Sequence, residues 1–135
     1  LQMALVAAGI ANGGVVMSPT MVDGIVAPDL SVHNATEPQQ FSQPLTSKVA
    51  DALKSMMVAD VSNGVAGGAR IDGVDVGGKT GTAQNDDDPF TLWFTGFAPA
   101  ENPEVAVAVV VENGGGQGQS GSGDAIAAPI AQQVM

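Results

Sequence analysis

Apolar residues run almost without a break through the first segment, LQMALVAAGIANGG, where Leu1, Met3, Ala4, Leu5, Val6, Ala7, Ala8, Ile10 and Ala11 leave no polar stripe. A helix that is apolar all round must be covered on every side. Asn12, Gly13 and Gly14 supply an ordinary C-terminus for it. Neither a capping residue nor an initiator methionine precedes it. The expectation is therefore a chain that begins inside a larger domain, as its C-terminal part, with the remainder helping to bury this helix. VVMSPTMVDGIVAP predicts two short extended pieces around Ser18 and Pro19. Residues 28–44 are polar and proline-punctuated and predict a surface loop that holds the single histidine, His33.

Residues 46–63 read as an amphipathic helix in which Val49, Leu53, Met56 or Met57, and Val61 recur at helical spacing. Thr46 or Ser47 caps its start and Asn63-Gly64 its end. The methionine pair is read as core packing rather than a binding face. GVAGGARIDG predicts a flexible connection. Three strands follow: Val76 to Gln84, Thr91 to Ala98, and 105–112, VAVAVVVE. The seven consecutive apolar residues of the third predict a strand buried on both faces, with helices on either side of the sheet. Short, turn-rich links make the three antiparallel neighbours. NGGGQGQSGSG is glycine-rich but internal. A closing helix is expected over SGDAIAAPIAQQVM, with Ser122 or Asp124 near its N-terminus and Pro129 in or near its first turn.

Charge narrows the partners. The chain of 135 residues carries a net charge of −10, and its cations are Lys48, Lys54, Lys79 and Arg70. Phosphate backbones and anionic membrane surfaces need clustered lysine and arginine, so no nucleic-acid partner is expected. The chain has no cysteine, hence no disulfide framework and no cysteine-based metal site. No cofactor or metal is implied, and NDDD at 85–88 lacks the spacing of a calcium loop.

The stretch GVDVGGKTGTA carries the candidate chemistry, and it has two readings. Gly73, Gly78, Lys79 and Thr80 fit a phosphate-binding loop, G-x-x-x-x-G-K-[ST], at every position. Such a loop needs a buried strand before the first glycine and a helix opening at the Lys-Thr. Here GGARID precedes Gly73, and GTAQNDDDP follows Thr80. Three aspartates close by repel a triphosphate, and Glu112 at the end of VAVAVVVE is explained by a plain sheet strand. The other reading places GGKTGTAQ at the start of a strand. An acyl-transfer site needs a cation and hydroxyls for a substrate carboxylate, and an N–H donor aimed at the developing oxyanion. Lys79, Thr80 and Thr82 supply these from one strand edge. Thr80 and Thr82 share a face, and Gly81 between them lets a peptide approach the backbone and pair as an added strand.

In this context the chain resembles the class B penicillin-binding proteins. LQMALVAAGIANGGVVMSP, GGKTGTAQ, WFTGFAP, VAVVVEN and AAPI occur there in this order, and the resemblance covers residues 1–135. Within the family it is most similar to the A type of high-GC Gram-positive bacteria. The resemblance implies an α/β fold of the α+β type: an antiparallel sheet flanked by helices, as in serine β-lactamases and transpeptidases, with this chain as an incomplete C-terminal portion. It implies a peptidoglycan D,D-transpeptidase that cross-links stem peptides through an acyl-serine and is acylated by β-lactams. It also implies possible cell-division or elongation partners and a site outside the cytoplasm, anchored by an N-terminal segment. Of the family motifs S-x-x-K, S-x-N and K-[ST]-G, only the third is present, as Lys79-Thr80-Gly81. SPTM lacks the lysine, and SNG falls at the wrong point in the order. Carried over, Lys79 charges the cleft, binds the carboxylate and tunes proton transfer. Thr80 and Thr82 hold the carboxylate beside Gly81, and the Thr82 N–H forms half of the oxyanion hole. Trp93 and Phe94 are read as packing. The chain alone is expected not to be catalytic, because an upstream segment of the same protein brings the nucleophilic serine. A D,D-carboxypeptidase and a non-catalytic β-lactam sensor or scaffold are the alternatives.

Overall fold

A computed structural model describes residues 1–135. Helix α1 spans Gln2–Ala11 and ends at Asn12. Two short strands follow, β1 (Val16–Met17) and β2 (Gly24–Val26). The expected surface loop at 28–44 is instead partly paired. Strand β3 (Val32–Ala35) forms an antiparallel hairpin with β2, and β4 (Gln40–Ser42) pairs antiparallel with β1. All four β3 residues are exposed, so their sequence shows none of the polar–apolar alternation by which a strand is recognised. His33 lies on this exposed hairpin.

Helix α2 spans Ser47–Asn63, with Thr46 accepting a hydrogen bond from Val49 N. Its buried residues are Ala50, Met57 and Val61, whereas Val49 and Met56 are exposed, contrary to the expectation for Val49. The methionine pair is thus divided, one side chain in the core and one outside. The connection after α2 is not loose. Ala66 and Ala69 are fully buried, Gly68 N donates to Asp124 Oδ1 (2.7 Å), and Arg70 Nε donates to Val61 O (2.9 Å).

Strands β5 (Gly77–Asn85), β6 (Asp88–Ala98) and β7 (Val105–Val111) form one antiparallel sheet in that order, with β6 in the centre. The three largest fully buried side chains, Phe94, Phe97 and Leu92, all belong to β6. Alternation sends Leu92, Phe94 and Ala98 to one face, against Ala127, Ala128 and Ala131, and sends Phe97 to the other, against Ala7, Ala11 and Met57. The central strand thus supplies bulk and the helices supply alanine, which lets them approach closely. Each buried aromatic contributes about 1.5–3 kcal/mol. Strand β7 departs from the expectation of burial on both faces. Among its residues only Val107 is buried, and Val105 and Val110 are exposed.

The glycine-rich segment winds into short turns, with Asn113, Gly114, Gly115, Gly116 and Gly118 at positive φ, a conformation that glycine adopts without penalty. Gln119 then donates to Asp86 O (2.9 Å) and Asp88 O (3.3 Å), fastening the β5–β6 turn. Gly123–Ala127 form a wide helical turn that leads into α3 (Ala128–Val134). Ser122 accepts from Ala125 N (3.2 Å), and Pro129 sits in the first turn of α3 as expected. The fold is therefore the expected mixed one, an antiparallel sheet with α1 on one face, α3 on the other, and α2 against β5, its Met57 in the first core and its Val61 in the second.

Candidate functional site

Strand β5 opens with Gly77 and Gly78, both buried. A Cβ on Gly77 would enter the Phe97 ring, and one on Gly78 the Phe94 ring. Only glycine lets these rings lie across the strand. Lys79 is the first side chain to emerge, and it stands opposite Thr95 of β6 on the face that carries α1. Thr95 Oγ1 lies within hydrogen-bond distance of Met3 O (3.0 Å) and Val107 O (3.1 Å), tying the start of α1 to the sheet beside the lysine. No helix opens at Thr80, so the phosphate-loop reading fails on geometry.

Lys79 is 57% exposed, and its ammonium donates to Thr80 O (3.2 Å) and Thr80 Oγ1 (3.5 Å). Asp60, in the last turn of α2, brings Oδ2 to 3.3 Å from the same nitrogen, the one salt bridge of the structure. Asp60 was not legible as a site residue. The signal that could have found it is its position: a carboxylate at a helix C-terminus meets the negative end of the macrodipole and needs compensation.

Thr80 faces Phe94 across the ladder and Thr82 faces Leu92, so the two threonines share a side, as alternation required. Gly81 lies opposite Trp93. Thr82 is exposed, and its Oγ1 accepts from Gly123 N (3.3 Å) at the entrance to the closing helix. Strand β5 has β6 on one side only, so alternate backbone N–H and C=O groups along it face outward.

Two adjoining cavities meet at the lysine. One, of about 590 Å³, is walled by Met3, Val6, Ile10, Leu53, Met56 and Met57, with Asp60, Lys79 and Thr95 as its polar members. The other, of about 300 Å³, is lined by Met3, Lys79, Thr80, Gly81, Trp93, Phe94 and Thr95. Phe94 is fully buried, as its reading as packing requires, but Trp93 is only half-buried and borders the second cavity. Such an arrangement offers a cation and a hydroxyl to an anion, an apolar wall, and an open strand edge to an extended chain.

The other polar features lie apart from this place. The Asp86–Asp88 segment forms the far turn of the β5–β6 hairpin. Asp29 is in an exposed turn, where the Ser31 hydroxyl (2.6 Å) and then the Ser31 N–H (3.0 Å) hold its carboxyl below the usual range. Lys79 makes no hydrogen bond to any serine, and no helix is long and apolar enough to cross a membrane.

Comparison with known proteins places this geometry in a context. The family model for the penicillin binding protein transpeptidase domain matches residues 1–135. The chain is 43% identical over 139 residues to the peptidoglycan D,D-transpeptidase PbpA of Mycolicibacterium smegmatis, covering 100% of this chain and 28% of the relative. Among solved structures it is similar to penicillin-binding protein A from M. tuberculosis in a ceftriaxone acyl-enzyme complex, with a TM-score of 0.88 and 40% identity over 97% of this chain and 30% of that one. It is also similar to the D,D-transpeptidase domain of a peptidoglycan glycosyltransferase from Eggerthella lenta, with a TM-score of 0.85 and 34% identity over 98% of this chain and 30% of that one. The chain thus spans under a third of the length of each of these three proteins.

Proposed function

The chain belongs to the penicillin binding protein transpeptidase domain family, and from that premise we propose that it supplies the substrate-holding strand of a peptidoglycan D,D-transpeptidase. The observation that carries this reading is the Lys79 ammonium held against Thr80 on a strand with one open side. In the full-length protein, a serine contributed from outside these residues attacks the penultimate D-alanine carbonyl of a stem peptide. The tetrahedral oxyanion is held by the Thr82 N–H and the serine's own N–H. Its collapse breaks the peptide bond, releases D-alanine and leaves the acyl group on the serine, from which an amine on a neighbouring stem takes it. Lys79, Thr80 and Thr82 hold the terminal carboxylate, while Gly81 admits the peptide to the strand edge. A β-lactam follows the same course through its ring carbonyl, and its leaving nitrogen stays tethered.

The complementary part of the protein sits on the Lys79 face, where Met3, Val6 and Met56 are exposed. The site works outside the cytoplasm, at the bacterial membrane, with the anchor carried elsewhere in the protein. The test is acylation of the full-length protein by fluorescent penicillin. Lys79→Ala is expected to lower the second-order acylation rate about 100-fold, or about 2.7 kcal/mol of barrier, with a thermal melt to show that the variant is folded. An unchanged rate removes Lys79 from the site. Release of D-alanine without cross-linked product means a carboxypeptidase, and absence of labelling in the parent protein means a scaffold.

A further inference from the structure

We infer that Asp60 is a positioning residue for Lys79, and this rests on the reading of Lys79 given above. Asp60 uses its two carboxylate oxygens for different purposes. Oδ1 accepts from Val65 N (3.0 Å), while the main-chain oxygen of Asp60 accepts from Gly64 N (3.0 Å) and Ala66 N (3.2 Å), so one side of the residue terminates α2. Oδ2 takes no part in that cap. It is fully buried, receives no hydrogen bond of good geometry, and lies 3.3 Å from Lys79 Nζ. A buried carboxylate oxygen without a donor is costly unless a counter-charge stands beside it. Its place in the last turn of a helix adds to that cost. Lys79 is the counter-charge.

The benefit is reciprocal. A lysine side chain has four rotatable bonds and no intrinsic preference for one direction. Here the ammonium donates to Thr80 O and Thr80 Oγ1, and Asp60 Oδ2 stands beside it as its ion-pair partner. Thr80 belongs to the lysine's own strand, and Asp60 alone reaches in from another element. It draws the ammonium toward α2 and fixes it over the strand before a substrate carboxylate arrives. The carboxylate then meets an ordered charge. Gly64 completes the arrangement, since a Cβ there would collide with Asp60 Oδ1.

The test is a double-mutant cycle on β-lactam acylation in the full-length protein. Asp60→Asn keeps an acceptor for Val65 N and removes the charge, so the cap survives and the melting temperature stays near that of the parent. It is expected to slow acylation about tenfold, the lower range for loss of a group that orients a functional one. In a Lys79→Ala background the same substitution is expected to change nothing further. Asp60→Glu, which restores the charge, is expected to recover part of the rate. If Asp60→Asn leaves the rate intact while Lys79→Ala lowers it, the inference fails and the role of Lys79 stands. An equal Asp60→Asn loss in both backgrounds shows that Asp60 acts through α2 alone, and this too overturns the inference. If Lys79→Ala itself has no effect, the functional reading fails and takes the inference with it.

Discussion

On the α3 face of the sheet, Leu92 and Phe94 meet Ala127, Ala128 and Ala131, and every one of these side chains is fully enclosed. On the opposite face Phe97 is as deeply buried between Ala7, Ala11 and Met57, but a few ångströms further along β5 the packing stops. There Met3, Val6 and Met56 stand in the open around Lys79 and Asp60. The same strands serve both faces, so the difference is not one of secondary structure. It lies in what is placed on them. One face is a closed core that holds β6 rigid, and the other is a core interrupted at the point where a charged group is displayed. The rigidity of the first gives the second its geometry.

The contrast is sharpest in stability measured on the full-length protein. Phe94→Ala opens a cavity on the closed face and is expected to cost about 3–5 kcal/mol in chemical denaturation; a loss near 1 kcal/mol would mean that the α3 face repacks freely. Next in size is the roughly 2.7 kcal/mol acylation barrier of Lys79→Ala, an effect on rate from the open face. Gly78→Ala tests the link between the two faces, because its methyl group meets Phe94 on one side of the strand that carries Lys79 on the other. The expected loss is about 1–3 kcal/mol from overpacking, read by thermal melting, together with slower acylation. Intact acylation would show that the closed face does not set the phase of β5. Smallest is Met56→Ser. If the rest of the protein covers the open face, urea titration finds a loss of about 1 kcal/mol, and a change inside about 0.5 kcal/mol means that the face stays open.

Much of this was written in local sequence. The three long strands, α2 and the turn position of Pro129 follow from periodicity and punctuation, because those elements use side-chain patterns that a reader can count. Thr80 and Thr82 could be placed on one face from the sequence, because alternation along a strand fixes their relation, and the same alternation turns Lys79 to the other face. The failures share a cause. Seven apolar residues in β7 look the same whether the strand's faces are fully covered or partly open, and only packing decides. The β2–β3 hairpin buries nothing, so it leaves no pattern. Asp60 lies 19 positions before its partner (79 − 60) and is joined to it only by the packing of α2 on β5.

The paired glycines at the head of β5 reach beyond packing. Slipping the strand by one position would carry the Lys79 side chain through the sheet to the α3 face and drive a Cβ into the space that a phenyl ring now fills. The aromatic rings thus act as a ruler laid against the strand, and the mark they set is the side from which Lys79 projects. The Asp86–Asp87 turn at the other end of the hairpin has no part in that measurement. Its charge is free to differ, whereas one residue inserted between Gly78 and Lys79 would turn the lysine away from its cleft.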